Sequence, residues 1–304
     1  MRAFALALGV GLLLAAAAPA QAQTVRFAAP PDCLTNTGCG AGLRSVYGLD
    51  VGPSFVPLEV ADAGISALDN GLAEVAVAFS SNPAVSRPDI VTLRDDRRML
   101  YADRVVPVVR RGLLHAYGAR GAADIKRRLD AASAALSTLA LRGLNQWLVD
   151  GRIPEAVGGE FVDANGLGGG RSARHGPRIV IGYQDFAENE VLAYLYAETL
   201  RTAGYRVRVR SVHGLRPQAV ALLRRAKIDL TPDYSGSLLR YLVGTRPERL
   251  RAGLRRTLAR IHAEPLRLSG AQDRNVLVTK RDTATRLGLR SISDLARYWP
   301  PATR

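Results

Sequence analysis

Residues 178–244 alternate between strand and helix patterns, in the order strand, helix, strand, helix, strand. The strand patterns are RIVIG, YRVRVR and IDLTPDY, and the helix patterns are DFAENEVLAYLYAETLRTAG and PQAVALLRRAK. The first helix pattern opens with Asp185 and Glu188 at capping-box spacing, and the second opens at Pro217, a favoured first helical position. This alternation is typical of a mostly parallel sheet covered by helices, so we predict an α/β fold.

Polar side chains directly follow the third strand pattern. In open α/β sheets, ligands bind beyond the carboxyl ends of the strands. Tyr234, Ser235 and Ser237 occupy that place in the sequence TPDYSGS. The Ser-Gly-Ser run can also begin a helix whose free backbone N–H groups face an anion. We therefore expect this stretch to belong to a ligand site.

The first 22 residues have the pattern of a secretory signal peptide. Arg2 precedes an apolar and small run over residues 3–18, and Ala20-Gln21-Ala22 fits a small-x-small cleavage site. The apolar run is shorter than the roughly 20 residues that a membrane-spanning helix needs. No cysteine stands at the cleavage site to carry a lipid. We expect cleavage after Ala22 and a mature protein free in the periplasm.

The two cysteines, Cys33 and Cys39, lie close together in PPDCLTNTGCG. In an oxidising compartment this spacing favours a local disulfide that clamps a loop. A metal site is the alternative, but neither cysteine has a histidine or a second cysteine pair at ligand spacing. We predict the disulfide, and we expect no metal and no cofactor.

The formal net charge of +15 raises the question of nucleic-acid binding, because basic surfaces neutralise phosphates. The arginines are spread through segments such as RRGLLHAYGAR, RLRAGLRRTLARIH and RVRVRS rather than interleaved with aromatic residues. Export would also separate the protein from nucleic acid. We interpret the charge as a solvated basic surface and expect a monomer without a nucleic-acid partner.

Recognisable catalytic motifs are missing from the sequence. It contains no GxSxG, no HExxH and no GxxxxGK[ST]. The four histidines are scattered and have no partner nearby in sequence: His115, His175, His213 and His262. A triad assembled from distant parts of the chain stays open, because such residues meet only in space. We predict that the protein is not an enzyme.

Two further segments organise the chain. Leucine, isoleucine and alanine recur at helical spacing over residues 122–148, which predicts core-facing helix. Residues 166–177 read GLGGGRSARHGP and are predicted to be a flexible connector. The loose GxGGG in this connector lacks the preceding strand and following helix of a dinucleotide-binding fingerprint.

The alternating segment resembles the opening of the substrate-binding proteins of osmoprotectant importers, the glycine betaine, carnitine and choline type. The family's G-S-x-N-F-x-E motif is similar to residues 182–188, and its D-L-x-P-E-Y-T-G-T motif to residues 229–237. The segment QDRNVLVTKRDTATRLGLRSISDLARY resembles the hinge strand and first helix of the family's second lobe. The next part of the family sequence is similar to FAAPPDC, ALDNGLAEVAVAFSSNP and LRDDRRMLYADRVVPVVRR, which all lie at the start of this chain.

The resemblance implies a type II periplasmic binding protein, with two α/β lobes joined by two crossing strands, in circularly permuted order. Lobe 2 would comprise residues 23–90 and 272–304, lobe 1 would comprise residues 91–165 and 178–271, and residues 166–177 would link the family's original chain ends. Permutation is tolerated where chain ends lie near each other on the surface. We therefore expect Trp299 to lie near Thr24.

The resemblance also implies a ligand site. In the family, aromatic rings enclose a quaternary ammonium group through cation–π attraction, and polar groups hold the other end of the ligand. Tyr234 matches the family's cage tyrosine, and Ser237 matches the hydroxyl of the last threonine in the same motif. Phe79, in AFSSNP, takes the family's aromatic position, and Asn189 stands where an amide is common.

Three positions depart from the family pattern. Arg274 stands where the hinge strand usually offers a tyrosine, Asp103 stands at another tyrosine position with Tyr101 two residues earlier, and Asn36 replaces an arginine that can grip a carboxylate. A guanidinium repels a quaternary ammonium. Arg274 is therefore expected to pair with Asp103, to clamp a ligand carboxylate, or to form a lobe-to-lobe salt bridge.

Three functions are compatible with this sequence. The first is a periplasmic solute-binding protein that delivers a small quaternary ammonium or zwitterionic compound to an ABC permease. The second keeps the fold but binds an amino-acid-like molecule through Arg274 and Asp103. The third is an exported enzyme or sensor on the same fold, since fold alone does not determine function.

Overall fold

The computed structural model describes residues 25–59, 63–169, 176–244 and 250–302. The predicted signal peptide lies outside the described residues, as does the middle of the predicted linker, residues 170–175. None of the helices in the described part of the chain has the length and hydropathy of a membrane-spanning segment.

The first of two five-stranded sheets has the order β2-β1-β3-β10-β4. Its strands are β1 Phe27–Ala29, β2 Phe55–Pro57, β3 Val75–Phe79, β4 Ile90–Thr92 and β10 Asn275–Lys280. Strand β10 runs antiparallel to β3 and β4, and the other pairs are parallel. Strand β3 is apolar at every position because Val75 and Val77 pack on one face and Ala76 and Ala78 on the other.

The second sheet has the order β7-β6-β8-β5-β9. Its strands are β5 Val105–Arg110, β6 Ile179–Tyr183, β7 Val207–Ser211, β8 Leu230–Tyr234 and β9 Ala263–Pro265. Strand β5 runs antiparallel to β8 and β9, whereas β6 runs parallel to β7 and β8. The predicted strand with alternating valine and arginine is β7, at the edge of this sheet, where one face stays open to solvent.

Helices surround both sheets. They are α1 Gly40–Gly42, α2 Ala63–Asp69, α3 Arg111–Ala116, α4 Gly118–Ala135, α5 Thr138–Val149, α6 Pro154–Ala164, α7 Ala187–Arg201, α8 Arg216–Arg224, α9 Ser235–Val243, α10 Leu250–Ala259 and α11 Arg281–Leu287. The helical region predicted over residues 122–148 falls in α4 and α5, which are separated at Leu136 and Ser137. The Ser137 hydroxyl caps α5 by accepting from the Ala140 N–H at 3.1 Å.

The predicted capping box at the start of α7 is wrong. The helix begins at Ala187 after Phe186, which offers no side-chain cap. The Asp185 carboxylate instead accepts a hydrogen bond from the Ser211 hydroxyl, on the neighbouring strand β7. The Asp185 carboxylate, which the sequence pattern assigned to the helix cap, therefore accepts a tertiary hydrogen bond instead. Helix α8 begins at Arg216, one residue before the predicted start, and Pro217 lies in its first turn.

The predicted architecture of two α/β lobes joined by two crossing strands is confirmed. We call the part around the first sheet lobe 2 and the part around the second sheet lobe 1. The chain leaves lobe 2 after Met99, which packs in that core, and enters lobe 1 at Val105. It returns through residues 271–275. The first crossing thus follows β4, later in the chain than the predicted boundary after residue 90.

The two crossing segments are hydrogen-bonded to each other. The Val105 N–H donates to the Ala271 carbonyl at 3.1 Å, and the Asp273 N–H donates to the Asp103 carbonyl at 3.0 Å. Arg104 and Gln272 form an antiparallel bridge between these bonds. The two connections between the lobes therefore form one short antiparallel ribbon, which is the hinge.

Thr24, which was expected to lie near Trp299, is outside the described residues, but the first described residue, Val25, contacts Trp299. The Trp299 indole N–H donates to the carbonyl of Val25, the residue after Thr24, at 2.7 Å. The Trp299 ring packs edge-on against Phe27, with 5.3 Å between ring centroids, and its side chain is 2% exposed. Lobe 2 therefore contains residues from both the early and the late part of the chain. Trp299 is buried in its core.

Candidate functional site

A cleft of about 1050 Å³ lies between the lobes, next to the hinge. It contains seven of the eight side chains that the sequence indicated for ligand contact: Asn36, Phe79, Tyr101, Asp103, Tyr234, Ser237 and Arg274. Strand ends, the hinge and the cysteine loop bring these residues together from distant parts of the chain. Both cysteines of the predicted disulfide, Cys33–Cys39, line the cleft, and the disulfide is confirmed.

Asn189 is the eighth indicated residue, and it is not among the residues that line the cleft. Its side chain is fully buried behind the cleft wall. Its Oδ1 accepts from the Gln184 N–H at 2.8 Å, and its Nδ2 donates to the Pro232 carbonyl at 3.2 Å. Asn189 therefore ties the end of β6 to β8, where unpaired backbone groups would otherwise be buried.

Aromatic rings form one wall of the cleft. Tyr234 ends β8, and its ring stacks against Phe186 with 6.2 Å between centroids and 25° between planes. Phe79 faces the cleft from the end of β3 in the other lobe. The Tyr234 hydroxyl donates to Glu188 Oε1 at 2.5 Å. Burial and the nearby Glu188 carboxylate raise the pKa of Tyr234 well above its ordinary value, so the phenol stays protonated.

Several residues of this wall were not predicted from the sequence. Phe186 and Glu188 line the cleft, and both lie inside the segment GYQDFAE that carries the family resemblance. That motif was a sufficient signal for them. Tyr241, on α9, also lines the cleft, but it lies in no motif and its side chain is 47% exposed.

Asp103 caps helix α9. Its Oδ1 accepts from the N–H groups of Gly236 at 2.7 Å and Ser237 at 3.0 Å, and its Oδ2 accepts from the Ser237 hydroxyl at 2.5 Å. A carboxylate at a helix N-terminus is stabilised by these donors and by the helix dipole. Burial raises the pKa of the Asp103 carboxyl, and the hydrogen bonds from Ser237 oppose that rise. Asp103 and Ser237, both indicated for ligand contact, are thus hydrogen-bonded to each other.

Arg274 does not pair with Asp103. Its backbone N–H donates to the Ser80 hydroxyl at 3.0 Å, which fixes the residue at the start of β10. Within residues 25–302 as far as they are described, its guanidinium makes no ion pair, so the lobe-to-lobe salt bridge is not formed either. Of the three expected roles for Arg274, the clamp on a ligand carboxylate is the one compatible with its position in the cleft.

Asn36 and Tyr101 lie where the two lobes approach each other at the cleft. Arg240, on α9, donates to Asn36 Oδ1 at 2.8 Å, and its guanidinium carbon lies 5.7 Å from the Tyr101 ring centroid. Tyr101 packs so closely on α9 that a Cβ at Gly236 would lie 2.7 Å from its Cδ2 atom. The Tyr101 ring therefore leaves no room for a side chain at Gly236, the glycine of the TPDYSGS motif. The disulfide loop holds Asn36 against the opposite lobe.

Charge in the cleft is balanced, unlike that of the whole chain. Four carboxylate residues and three arginines line it: Asp32, Asp103, Glu188, Asp273, Arg216, Arg240 and Arg274. Arg216 is held by the buried Asp233, with 2.9 Å from Nε to Oδ1. The net charge of +15 is therefore carried mainly outside the cleft, and the cleft offers both signs of charge to a ligand.

A family model described as the substrate binding domain of the ABC-type glycine betaine transport system matches residues 13–164 and 177–303. The chain belongs to this family. The gap between the two matched segments coincides closely with the glycine-rich linker predicted over residues 166–177. No curated protein sequence matches the chain.

Solved structures with similar folds cover nearly the whole chain. A phosphate-binding protein of an ABC transporter from Streptococcus pneumoniae has a TM-score of 0.46 and 9% identity, over 92% of this chain and 97% of that one. The GluR0 ligand-binding core in complex with L-glutamate has a TM-score of 0.43 and 10% identity, over 91% of each chain. An ancestral arginine-binding protein bound to arginine has a TM-score of 0.39 and 11% identity, over 90% of each chain.

Family membership fixes the general role of the protein. It is a solute-binding protein of an ABC importer, with a small molecule as ligand and a membrane permease as partner. Proteins of this kind work in the periplasm and bind their solute without converting it, so the family is not one of enzymes. Together with the two mixed sheets, membership confirms the type II periplasmic binding fold.

Ser237→Ala tests whether this hydroxyl supports Asp103. We expect the free energy of unfolding to fall by about 1–3 kcal/mol, because a buried carboxylate loses a charge-assisted hydrogen bond. Urea unfolding measures the change, and the exposed Ser66→Ala in α2 serves as the control, with a change within about 0.5 kcal/mol. Equal losses in the two variants would contradict the assignment.

Proposed function

We propose that the protein binds a small zwitterion or cation with an alkylated ammonium group, of the glycine betaine or choline type, and delivers it to an ABC permease. The observation that carries this proposal is the group of rings Phe79, Phe186 and Tyr234 beside Glu188 in one cleft. Aromatic faces attract a desolvated cation by about 0.5–2 kcal/mol per contact. Because the rings come from both lobes, closure of the cleft brings all of them into contact with the cation.

The hydrogen bond from Tyr234 to Glu188 favours the same ligand. A phenol that donates to a carboxylate is polarised, which raises the electron density of its ring. The ring then attracts a cation more strongly, and the negative charge of Glu188 adds to this attraction at close range. The 2.5 Å bond therefore supports placing the ammonium end of the ligand next to Tyr234.

Arg274 supports a zwitterion rather than a simple cation. Its guanidinium lines the cleft and makes no ion pair among the described residues. Guanidinium and carboxylate groups form strong paired hydrogen bonds, so a ligand carboxylate would supply the missing partner. A ligand with an ammonium at one end and a carboxylate at the other matches the balanced charge of the cleft.

The second candidate is an amino-acid-like ligand in the same cleft. Asp103 caps α9, so it is not the partner of such a ligand's ammonium group. Glu188 and Asp273 line the cleft near Tyr234 and offer carboxylate oxygens to a primary ammonium. This arrangement favours an amino-acid ligand over the exported enzyme or sensor.

Export is part of the proposal. The signal-peptide pattern of residues 1–22 would direct the chain to the periplasm, with cleavage after Ala22. N-terminal sequencing of the exported protein checks this, and a mature chain that begins anywhere before residue 20 would contradict it.

We also propose that the chain is a circular permutation of the family order. The contact between Trp299 and Val25 and the division of the family match near the linker support this order. The strand orders of the two sheets are equivalent when β1, β2, β3, β10 and β4 are replaced by β6, β7, β8, β5 and β9. Chain ends can therefore move from one lobe to the other without changing either sheet.

Superposition on a glycine betaine-binding protein of the family tests the permutation. The alignment that places residues 178–244 on the first strands of that protein should match more residues than the alignment in sequential order. Equal or better agreement in sequential order would contradict the permutation.

A thermal-shift screen of the protein from residue 23 onward tests the ligand class. The panel contains glycine betaine, choline, carnitine and amino acids. A ligand at 100 times its dissociation constant stabilises by about 2.7 kcal/mol, which gives a clear rise in melting temperature. We expect the rise with the methylated ammonium compounds, and a rise with amino acids alone would contradict the first candidate in favour of the second.

Arg274→Gln tests the carboxylate clamp. Glycine betaine and choline share the trimethylammonium group, but only betaine carries a carboxylate. We expect the variant to weaken betaine binding at least tenfold, about 1.4 kcal/mol, and choline binding by less than about threefold. Calorimetric titration measures both affinities, and an equal change for the two ligands would contradict the assigned role.

A further inference from the structure

Helix α5 forms part of the cleft, although its sequence pattern predicted only core packing. Leu141 and Leu144 face the core of lobe 1, as their spacing indicates. Asn145, Leu148 and Val149 line the cleft from the same helix. The helix therefore belongs to lobe 1 through one face and reaches toward the ligand and lobe 2 through another.

The side-chain amide of Asn145 connects the two lobes. Its Nδ2 donates to the Ser81 carbonyl of lobe 2 at 3.0 Å and to Glu188 Oε2 of lobe 1 at 2.5 Å. An amide nitrogen has two hydrogens, and here each has one acceptor. Because a carbonyl and a carboxylate both require a donor, the partners themselves fix the orientation of the amide.

Glu188 extends this connection to the ligand wall. Its second oxygen accepts from the Tyr234 hydroxyl at 2.5 Å, and the Tyr234 ring stacks on Phe186. On the lobe 2 side, the Ser81 hydroxyl donates to the hinge residue Asp273 at 2.7 Å. A continuous chain of hydrogen bonds therefore runs from the hinge and lobe 2, through Asn145, to the aromatic ring that faces the cleft.

We propose that Asn145 is a positioning residue of the cleft, which couples lobe closure to the orientation of Glu188 and Tyr234. The amide reaches both the Glu188 carboxylate and the Ser81 carbonyl only while Ser81 lies against α5, as it does in this structure. Separation of the lobes removes one acceptor and frees the amide to turn away from Glu188. Coupling of this kind is reciprocal: a ligand that needs the observed position of Tyr234 favours closure, and closure favours that ligand. The inference rests on the proposed function only in taking the cleft as the ligand site.

Arg142 provides a matched control on the same helix. Its Nε donates to the Ser80 carbonyl at 2.7 Å, and its NH1 group donates to the Ser86 hydroxyl at 3.0 Å. Both acceptors lie in lobe 2, so Arg142 joins the lobes as Asn145 does. It makes no hydrogen bond to Glu188, so loss of Arg142 weakens the lobe contact and leaves the chain to Tyr234 intact.

A double-mutant cycle on the ligand-free protein tests the coupling. Asn145→Ala and Tyr234→Phe are measured singly and together by urea unfolding, and Arg142→Ala is combined with Tyr234→Phe in the same way. Groups in one hydrogen-bond network give non-additive effects, whereas independent groups give additive ones. Asn145→Ala and Tyr234→Phe each increase the unfolding equilibrium constant by some factor. We expect the factor for the double variant to be at least threefold smaller than the product of the two single-variant factors. For Arg142→Ala and Tyr234→Phe, the factor for the double variant should equal the product of the single-variant factors within twofold.

Two results of this cycle would overturn the inference. In one, both double variants show the product of their single-variant factors. In the other, both double variants deviate from that product by the same amount, which would place the effect in the lobe contact alone. If Asn145→Ala does not fold, Asn145→Ser takes its place, because its shorter side chain cannot span the two acceptors. The same criteria then apply.

Glycine betaine is the probe for the ligand-bound arm. Stopped-flow measurement should show that Asn145→Ala speeds dissociation of glycine betaine at least tenfold, while Arg142→Ala changes it by less than threefold. Equal acceleration in the two variants would overturn the inference. If the parent protein does not bind glycine betaine, the proposed function fails in that form, and the ligand-free cycle alone decides the role of Asn145.

Discussion

The antiparallel ribbon between the lobes is the constraint on which the binding site depends. Each crossing segment continues into a strand that runs antiparallel to both of its neighbours, β10 in lobe 2 and β5 in lobe 1, so each lobe receives this strand directly from the hinge. The register pairs Val105 with Tyr234 in one lobe and Asn275 with Phe79 in the other. The carboxyl ends of β8 and β3 are thereby fixed beside the hinge. Two aromatic residues from opposite lobes face one cleft because of this pairing.

The polar groups around the cleft form a small number of fixed assemblies. Asp103 holds the start of α9, and Glu188 holds the Tyr234 hydroxyl. In a site of low dielectric constant, a buried carboxylate without partners would be costly, so these hydrogen bonds determine which groups stay rigid. Arg274 stands apart from these assemblies, without an ion pair among the described residues. The rigid aromatic and acidic residues and the Arg274 guanidinium line the same cleft, an arrangement suited to a small zwitterion.

The sequence predicted those features that depend on local spacing or on strand ends. The Cys33–Cys39 disulfide and the cleft position of Tyr234 are of this kind, whereas the two lobes and the cleft position of Phe79 were implied by the family resemblance. Partners brought together by tertiary structure were not predicted. Asp185 bonds to Ser211 instead of capping α7. Spacing cannot reveal such contacts, because residues far apart in sequence decide them.

Asn145 illustrates the same limit for the binding site. Helical spacing of Leu141 and Leu144 identifies the core face of α5, but it leaves the other face without an assignment. The role of that face depends on how lobe 2 packs against it. Phe186 and Glu188 differ, because the family motif contains both, so motif comparison could have identified them although the sequence analysis did not.

Native mass spectrometry of the protein, isolated undenatured from the periplasm of its own host, would show which molecule occupies the cleft. We expect one bound molecule per chain, of low mass, with an alkylated ammonium group and a carboxylate or hydroxyl. Its release on partial unfolding allows identification by fragmentation. A bound species without an amine or ammonium nitrogen, such as phosphate or a sugar, would contradict the proposal that the aromatic and acidic wall holds an ammonium group.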